Sequence, residues 1–360
     1  MAPRSPTPRR PTSFGKLGYT AAQGARIAWY LGHYLAANRV RGPLTSPSDK
    51  PFRPRGGIPE RARLMAGMRA LFEQDWRNIE AGLYRAPPAL PADLKAALTR
   101  SVLFFRDVPV LDRRRMARGH SDVLTPDRQA RYPRYYLQNF HYQTDGWLSD
   151  RSAKIYDTQV ETLFTGAADA MRRQALVPLR AATKGRDQRK LHLLDLACGT
   201  GRFLARVKEN YPRLNVTGLD LSAAYLAEAK RTLAAWRGCA FLEANAEHVP
   251  LETASQNIIS CIYLFHELPP EIRRIVVREI ARLLKPGGTL IFQDALQTGD
   301  REDYDGLLEF FPVGFHEPYF SSYLTEDFAS LFRAQGLEWQ TTTPAFLSKV
   351  MVFKKINPGD

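Results

Sequence analysis

The sequence predicts an α/β fold, a seven-stranded and mostly parallel sheet with helices on both faces, preceded by an N-terminal helical extension. Three observations predict it. From residue 190 onward, short apolar runs alternate with amphipathic stretches, the pattern of strands joined by covering helices. The run NIISCIYLF at 257–265 is nearly all apolar, as a central strand buried on both faces must be. The first strand leads through a glycine-bearing turn, Asp195–Gly201 (DLACGTG), directly into a helix.

Taken in order, residues 1–13 are rich in Pro, Ser and Arg, a composition that builds no core and predicts a disordered tail. The longest apolar run near the start, Ile27 to Leu31, is too short for a secretory signal. An arginine-rich, acid-poor start also has the composition of an organelle transit peptide. Residues 14–40 read as a helix, with Phe14, Leu17, Ala21, Ala28, Leu31 and Leu35 at three- and four-residue steps. Trp29, Tyr30 and Tyr34 add aromatic rings, and Lys16, Arg26, Arg39 and Arg41 add positive charge. Such a helix suits either a membrane surface or the flank of the protein body. Residues 42–59 carry five prolines and read as a linker.

Two further helices are predicted over 60–85 and 91–120, the second carrying the basic run Arg113, Arg114 and Arg115, read as a solvated face. Residues 132–147 (YPRYYLQNFHYQTDGW) are dense in aromatics, and 150–178 read as one long helix ending near Pro178. Strands follow at 191–197, 214–220, 239–244, 257–265, 289–294, 337–343 and 347–354, with helices at 202–210, 222–236, 270–284 and 324–334 between them. The predicted organisation is a basic extension over 1–57, a basic helical region over 58–135, an aromatic-rich cap and helix over 136–189, and the sheet-forming core over 190–360.

Charge divides the chain in the same way. Of its 360 residues, the first 135 hold 25 Lys and Arg against 10 Asp and Glu, and the rest hold 26 against 27. The excess basicity therefore lies wholly in the first part, which an anionic membrane surface or a polyanion could attract. Hydrophobic residues at 44% and charged residues at 24% are ordinary globular values and exclude a fibrous or wholly disordered chain. The three cysteines, Cys198, Cys239 and Cys261, form no CxxC pair, so neither a disulfide framework nor a cysteine zinc site is expected. A cytoplasmic protein, with peripheral membrane attachment through its basic extension as an option, fits this composition.

The chemistry is concentrated in the first strand-turn-helix. Ligands of open parallel sheets sit at the carboxyl ends of the strands. Gly199 and Gly201 allow close backbone approach there, and the next helix points its unpaired N–H groups at the same spot. Asp220 ends the second strand, where a carboxylate accepts hydrogen bonds from ribose hydroxyls. A dinucleotide fingerprint wants a third small residue where Leu204 stands, which argues against NAD or FAD. S-adenosyl-L-methionine needs an acidic strand end, a glycine turn and a ribose carboxylate, and all three are present.

Residues 190–355 resemble the class I S-adenosylmethionine-dependent methyltransferases, in the branch of the ubiquinone and menaquinone biosynthesis methyltransferases. The resemblance is carried by DLACGTGRF, VTGLDLS at 216–222, EANAEHVPL at 243–251, YLFHELPP at 263–270 and ARLLKPGGTLIFQD at 281–294, in order and spacing. It implies a Rossmann-like fold. It also implies that Asp195 holds the methionine amino end and that Ala197, Gly199 and Gly201 line the methionine and ribose portions. Asp220 with Leu221 would take the ribose hydroxyls, Asn245, Ala246 and Glu247 would border the adenine, and Tyr263 would lie beneath the methyl group. The usual first glycine of the turn is Ala197 here.

For an acceptor that must lose a proton, the candidate bases are His266, directly after the fourth strand, His316 in FPVGFHEPYF, and His141 in the aromatic stretch. The aromatics of 132–147 and of 309–323 together would form a pocket for a small hydrophobic or aromatic methyl acceptor. Two other readings compete. One is an RNA or protein methyltransferase gripping its substrate with the basic half; against it, LFHELPP is not the Asn/Asp-Pro-Pro-aromatic motif of base-N-methylating enzymes, and no nucleic-acid-binding module is recognisable. The other is a non-catalytic scaffold of the same fold, against which the intact Gly199, Gly201 and Asp220 argue. No metal is expected.

Overall fold

Seven strands, β1 (His192–Leu196), β2 (Asn215–Asp220), β3 (Cys239–Glu243), β4 (Gln256–Ile262), β5 (Leu284–Ala295), β6 (Leu337–Ala345) and β7 (Ser348–Lys355), form one sheet in the order β3-β2-β1-β4-β5-β7-β6. The structure is a computed structural model that describes residues 13–42, 52–88 and 93–357. The predicted tail, apart from Ser13, and most of the predicted linker lie outside the described residues. Strands β1 to β5 run parallel and β7 returns antiparallel between β5 and β6. This is the mostly parallel seven-stranded sheet that the sequence predicts.

Alternation along the strands fills two layers. Leu193, Ile258 and Ile291 point to one face, and Leu194, Ile259, Leu290 and Phe292 to the other, all with essentially no exposure. Every residue of β4 is buried, in keeping with its central place. The chain order reverses between β1 and β4, so a crevice opens at their carboxyl ends, the usual ligand position of such sheets.

Before the sheet come α1 (Ser13–Val40), α2 (Arg61–Glu80), α3 (Leu94–Met116), the short α4 (Pro126–Gln129), α5 (Asp150–Leu163), α6 (Ala168–Arg173) and α7 (Leu176–Thr183). Between and after its strands come α8 (Arg202–Asn210), α9 (Ala223–Thr232), α10 (Pro270–Leu283), α11 (Asp305–Gly314), α12 (Phe320–Tyr323) and α13 (Phe328–Arg333). Starts carry the expected signals: Ser149 caps α5 by accepting from Ser152 N, Ser222 caps α9 by accepting from Tyr225 N, and Pro270 opens α10.

The long helix predicted over 150–178 is broken into α5, α6 and α7. Thr165 and Gly166 adopt left-handed backbone at φ 51° and 83°. α1 crosses at this point, and a Cβ on Gly166 would lie 3.3 Å from Arg26 O. The helix stops where another backbone must approach. Pro178 does not end a helix either: it stands in the first turn of α7, where its missing N–H costs nothing.

The N-terminal helices are tied to the body by a buried polar network. Asp75 of α2 accepts from Tyr19 Oη of α1 (2.6 Å), Tyr84 Oη (2.7 Å), and Arg173 Nη2 (2.6 Å) and Nε (3.0 Å) of α6. Arg173 also pairs with Asp169, which in turn lies 3.2 Å from Arg206 of α8. Arg26 of α1 pairs with the buried Glu161 of α5 at 2.6 Å. The described part of the linker meets α11, with Gly306 N donating to Gly57 O.

Candidate active site

The turn after β1 is built on left-handed backbone. Ala197, Gly199 and Gly201 have φ of 59°, 54° and 76°, which swings the chain from the strand end into α8. The glycines bear this without cost, but Ala197 does not. Relieving it should raise stability: Ala197→Gly is predicted to gain about 1 kcal/mol in denaturant unfolding, the cost of a Cβ in that conformation. A less stable variant would mean that the Ala197 methyl contributes packing that outweighs the strain.

Gly199 has open space where a Cβ would stand, on the wall of a cavity of about 1080 Å³, counting the space at its mouth. Gly201 faces the other way, where a Cβ would strike Leu233 and Ala229, so this glycine seats the turn on α9 and does not line the cavity. Asp195 is flanked in register by Gly218 and Ser260, and Ser260 Oγ donates to it at 2.6 Å. Burial pushes its carboxyl up to about 7, against the lowering pull of Ser260 and Arg172. Asp220 at the end of β2 accepts from Gly199 N at 2.8 Å and Ser222 N at 2.9 Å. Burial pushes it up to about 6.

Asp195, Ala197, Gly199, Asp220, Leu221, Asn245, Ala246 and Tyr263 all line the cavity. Glu247 does not; it accepts from Tyr135 Oη and Asn245 Nδ2, each at 2.7 Å, and so fixes the Asn245 loop against the cap. Tyr263 leaves β4 with φ 58°, held by its N–H to Gln293 O and its hydroxyl to Ser348.

The cap over the cavity comes from residues 132–149. Tyr135, Tyr136, Phe140 and Trp147 line it, with Phe140 stacked on Trp147 at 4.3 Å. Ser222 Oγ donates to Trp147 O, and Gln143 Nε2 to Tyr225 Oη, which fastens the cap to α9. None of the aromatics of 309–323 lines the cavity, although Tyr319 packs on the cap, its ring centroid 6.4 Å from that of Phe140. Phe320 and Tyr323 are buried against Phe328, and Phe311 stacks on Phe320, so that segment fills the sheet core. The pocket predicted from both aromatic stretches is thus built from one.

None of the three candidate histidines lines the cavity, but Glu267, beside His266, does. Its Oε1 lies 3.6 Å from His266 Nε2 and 3.5 Å from His141 Nε2. Behind them, His266 Nδ1 is 2.6 Å from Asp294 and His141 Nδ1 is 3.2 Å from the buried Glu317. Burial opposes charge on both imidazoles, yet the neighbouring carboxylates outweigh it and raise both. Burial likewise works against the Glu267 carboxylate, and the two imidazoles outweigh it and hold Glu267 below its ordinary range. His316 sits apart, hydrogen-bonded to Gln138 at 2.8 Å and stacked on His120 at 4.2 Å. Desolvation lowers it to about 4.

Sequence reasoning passed over three further lining residues. Arg172 of α6 lies near enough to Asp195 to pull on its titration, and Tyr156 of α5 also lines the cavity. Asp157 accepts from Thr200 Oγ at 2.9 Å and lies 3.5 Å from Arg202, pinning α5 to the glycine turn. These come from helices far from the motif, and only a contact map brings them together. Among the described residues no group of ligands could hold a metal ion.

Residues 193–288 match the family described as a methyltransferase domain. The chain carries a class I methyltransferase domain. Its relatives include the ubiquinone/menaquinone biosynthesis C-methyltransferase UbiE of Syntrophotalea carbinolica, 34% identical over 145 residues, 40% of this chain and 58% of that one. The demethylmenaquinone methyltransferase of Lactococcus lactis is 32% identical over 150 residues, 38% of this chain and 59% of that one. The malonyl-[acyl-carrier protein] O-methyltransferase of Alcanivorax borkumensis is 31% identical, over 39% of this chain and 44% of its own length. The chain thus spans under three fifths of the length of these relatives. A solved S-adenosylmethionine-dependent methyltransferase from Aquifex aeolicus, wholly covered by 58% of this chain, is 14% identical with a TM-score of 0.43, too distant a likeness to bear on function.

The cofactor of the domain is S-adenosylmethionine, and the residues present fit it. Asp195 is a buried carboxylate facing a cavity, suited to an ammonium group, with the Arg172 guanidinium nearby for a carboxylate. Gly199 leaves a cradle that any side chain would fill. The Tyr136 hydroxyl is buried on the cavity wall without a hydrogen-bond partner.

Proposed function

We propose that this protein transfers a methyl group from S-adenosylmethionine to a small, hydrophobic or aromatic acceptor. The observation that carries this is a cavity whose lining brings Asp195, Asp220 and Glu267 together with the aromatic rings Tyr136, Phe140 and Trp147. When bound, the cofactor supplies an activated methyl group. The protein's own share is positioning, which can be worth roughly 7–11 kcal/mol. Asp195 and Arg172 hold the amino-acid end, Asp220 and Leu221 the ribose, and Asn245 and Ala246 the adenine. Tyr136 and Trp147 close the cap and exclude water. Phe140, Tyr156, Leu264 and Leu268 give the acceptor an apolar bed. Glu267, kept ionised by His141 and His266, takes the acceptor's proton. Two of the relatives are named for ubiquinone and menaquinone biosynthesis or for demethylmenaquinone, which supports a lipophilic acceptor; the third is named for malonyl-[acyl-carrier protein].

The reading is tested by incubating the protein with cofactor carrying a tritiated methyl group and, separately, a lipid extract, structured RNA and protein. Label is expected in small molecules that partition into organic solvent. Label in RNA or protein instead would replace this reading with a macromolecular substrate.

Affinity for the cofactor should depend on pH. Asp195 and Asp220 titrate at about 7 and about 6, and each must be ionised to hold its partner. Binding is therefore complete above about pH 8 and lost as pH falls through these values. From pH 7.5 to 5.5 the dissociation constant should rise roughly tenfold or more. A flat profile would show that neither carboxylate contacts the ligand.

A further inference from the structure

α1 leaves one apolar stripe in solvent, while its inward side mixes apolar and polar residues. Tyr19, Gln23, His33 and Ala37 are buried, with His33 Nε2 2.9 Å from Ser101 Oγ of α3. The stripe of Leu17, Ala21, Ala28 and Leu35 is exposed, with Leu17 at 69% and Leu35 at 52%. α3 carries a second exposed stripe beside it: Leu94 (61%), Leu98 (48%), Val102 (51%) and Phe105 (36%), spaced four, four and three residues apart. The two helices meet at His33, whose ring lies 5.0 Å from both Trp29 and Phe105. One apolar face therefore continues from α1 across Trp29 to α3.

The exposed charges around this face are basic apart from Asp93, the N-cap of α3, which accepts from Ala96 N. Lys16 and Arg39 on α1 and Lys95, Arg106 and Arg113 on α3 are exposed. α1 has no acidic residue. The two acids within α3 are engaged inward: Asp107 is buried with Thr144 Oγ1 at 2.9 Å, and Asp112 pairs with Arg115 at 2.5 Å. The segments outside the described residues hold few large apolar side chains to cover an apolar face: besides alanines and prolines, 43–51 contribute Leu44, 89–92 Leu90 and 1–12 Met1. A second copy of the chain would bring the same positive rim against this one.

We propose that this α1–α3 face docks on an anionic lipid bilayer. Apolar side chains enter the acyl boundary while the basic rim meets the headgroups. Nucleic acid would meet the charges but leave Leu98, Val102 and Leu35 without a partner. The same helix braces the cap: Arg114 Nη1 donates to Tyr142 O at 3.0 Å, and Asp107 accepts from Thr144. Docking would thus set the capped cavity beside the bilayer, where a lipophilic acceptor dissolves. That purpose rests on the function proposed above; the docking itself does not.

The test is co-sedimentation of the whole chain with phosphatidylcholine vesicles and with vesicles containing phosphatidylglycerol, beside cofactor affinity measured on the same samples. Binding to the anionic vesicles, weakened but not abolished at about 0.5 M salt, is expected. The Leu98→Gln/Val102→Gln double variant should bind at least tenfold more weakly while keeping wild-type cofactor affinity. Three results would overturn the proposal: no preference for anionic vesicles, equal vesicle binding by the variant, or a wild-type dimer that the variant dissolves, which would make a second copy the occupant. Loss of cofactor binding with vesicle binding intact would strike the functional reading alone.

Discussion

Arg173→Met should cost the folded protein about 3–5 kcal/mol, the usual loss when one partner leaves a buried charge network. Arg173 is 1% exposed and donates to both oxygens of Asp75 while pairing with Asp169. Methionine keeps most of the apolar volume, so the change isolates the charge. Two buried carboxylates would then face each other's neighbourhood with one guanidinium fewer. Asp75 would retain only the hydroxyls of Tyr19 and Tyr84 and the amide of Gln174. Because Tyr19 is the anchor of α1, the variant should also become sensitive to proteolysis within α1. Denaturant unfolding followed by far-UV dichroism measures the loss. A drop below about 1 kcal/mol would mean that water already reaches the network and that α1 is held by its other contacts, among them Arg26 with Glu161 and His33 with Ser101.

Glu267→Gln should lower turnover on the identified acceptor by roughly 10²–10⁴-fold, the range of positioned proton transfer, with cofactor affinity unchanged. Glutamine keeps the shape and one hydrogen-bond acceptor but takes no proton. His266→Asn tests the supporting role. His266 lies off the cavity and holds Glu267 below its ordinary range. Without that cation the Glu267 carboxyl rises, so the acid limb of the turnover–pH profile should move to higher pH. A lower rate with an unmoved limb would make His266 a packing residue. Unchanged turnover in Glu267→Gln would remove the carboxylate from the chemistry.

The sheet was legible because its signals are local: each strand is a short apolar run, and the Gly-bearing turn is contiguous. Asp195 and Asp220 were legible for the same reason, since a strand end is a position in sequence as well as in space. Ala197 was read as a small residue, and its left-handed backbone explains why glycine is the usual occupant. What stayed hidden depends on long-range approach. Gly166 breaks a helical pattern because α1 crosses it from 140 residues away. Glu267 outranks its neighbour His266 because a turn of the 3-10 type after β4 rotates one side chain to the cavity and the other toward Asp294. Arg172 and Tyr156 lie in helices with no motif of their own. The apolar stripe of α1 was visible in its periodicity, but a period cannot tell which face looks inward.

The central claim is that the cavity between β1 and β4 holds S-adenosylmethionine. Isothermal titration of the chain at pH 7.5 with S-adenosylmethionine and with its demethylated product tests it most directly. Saturable heat is predicted for both ligands, and Asp220→Ala should weaken binding by about 1.5–3 kcal/mol, the scale of hydrogen bonds to a charged group. A folded chain that gives no heat of binding with either ligand would contradict the account.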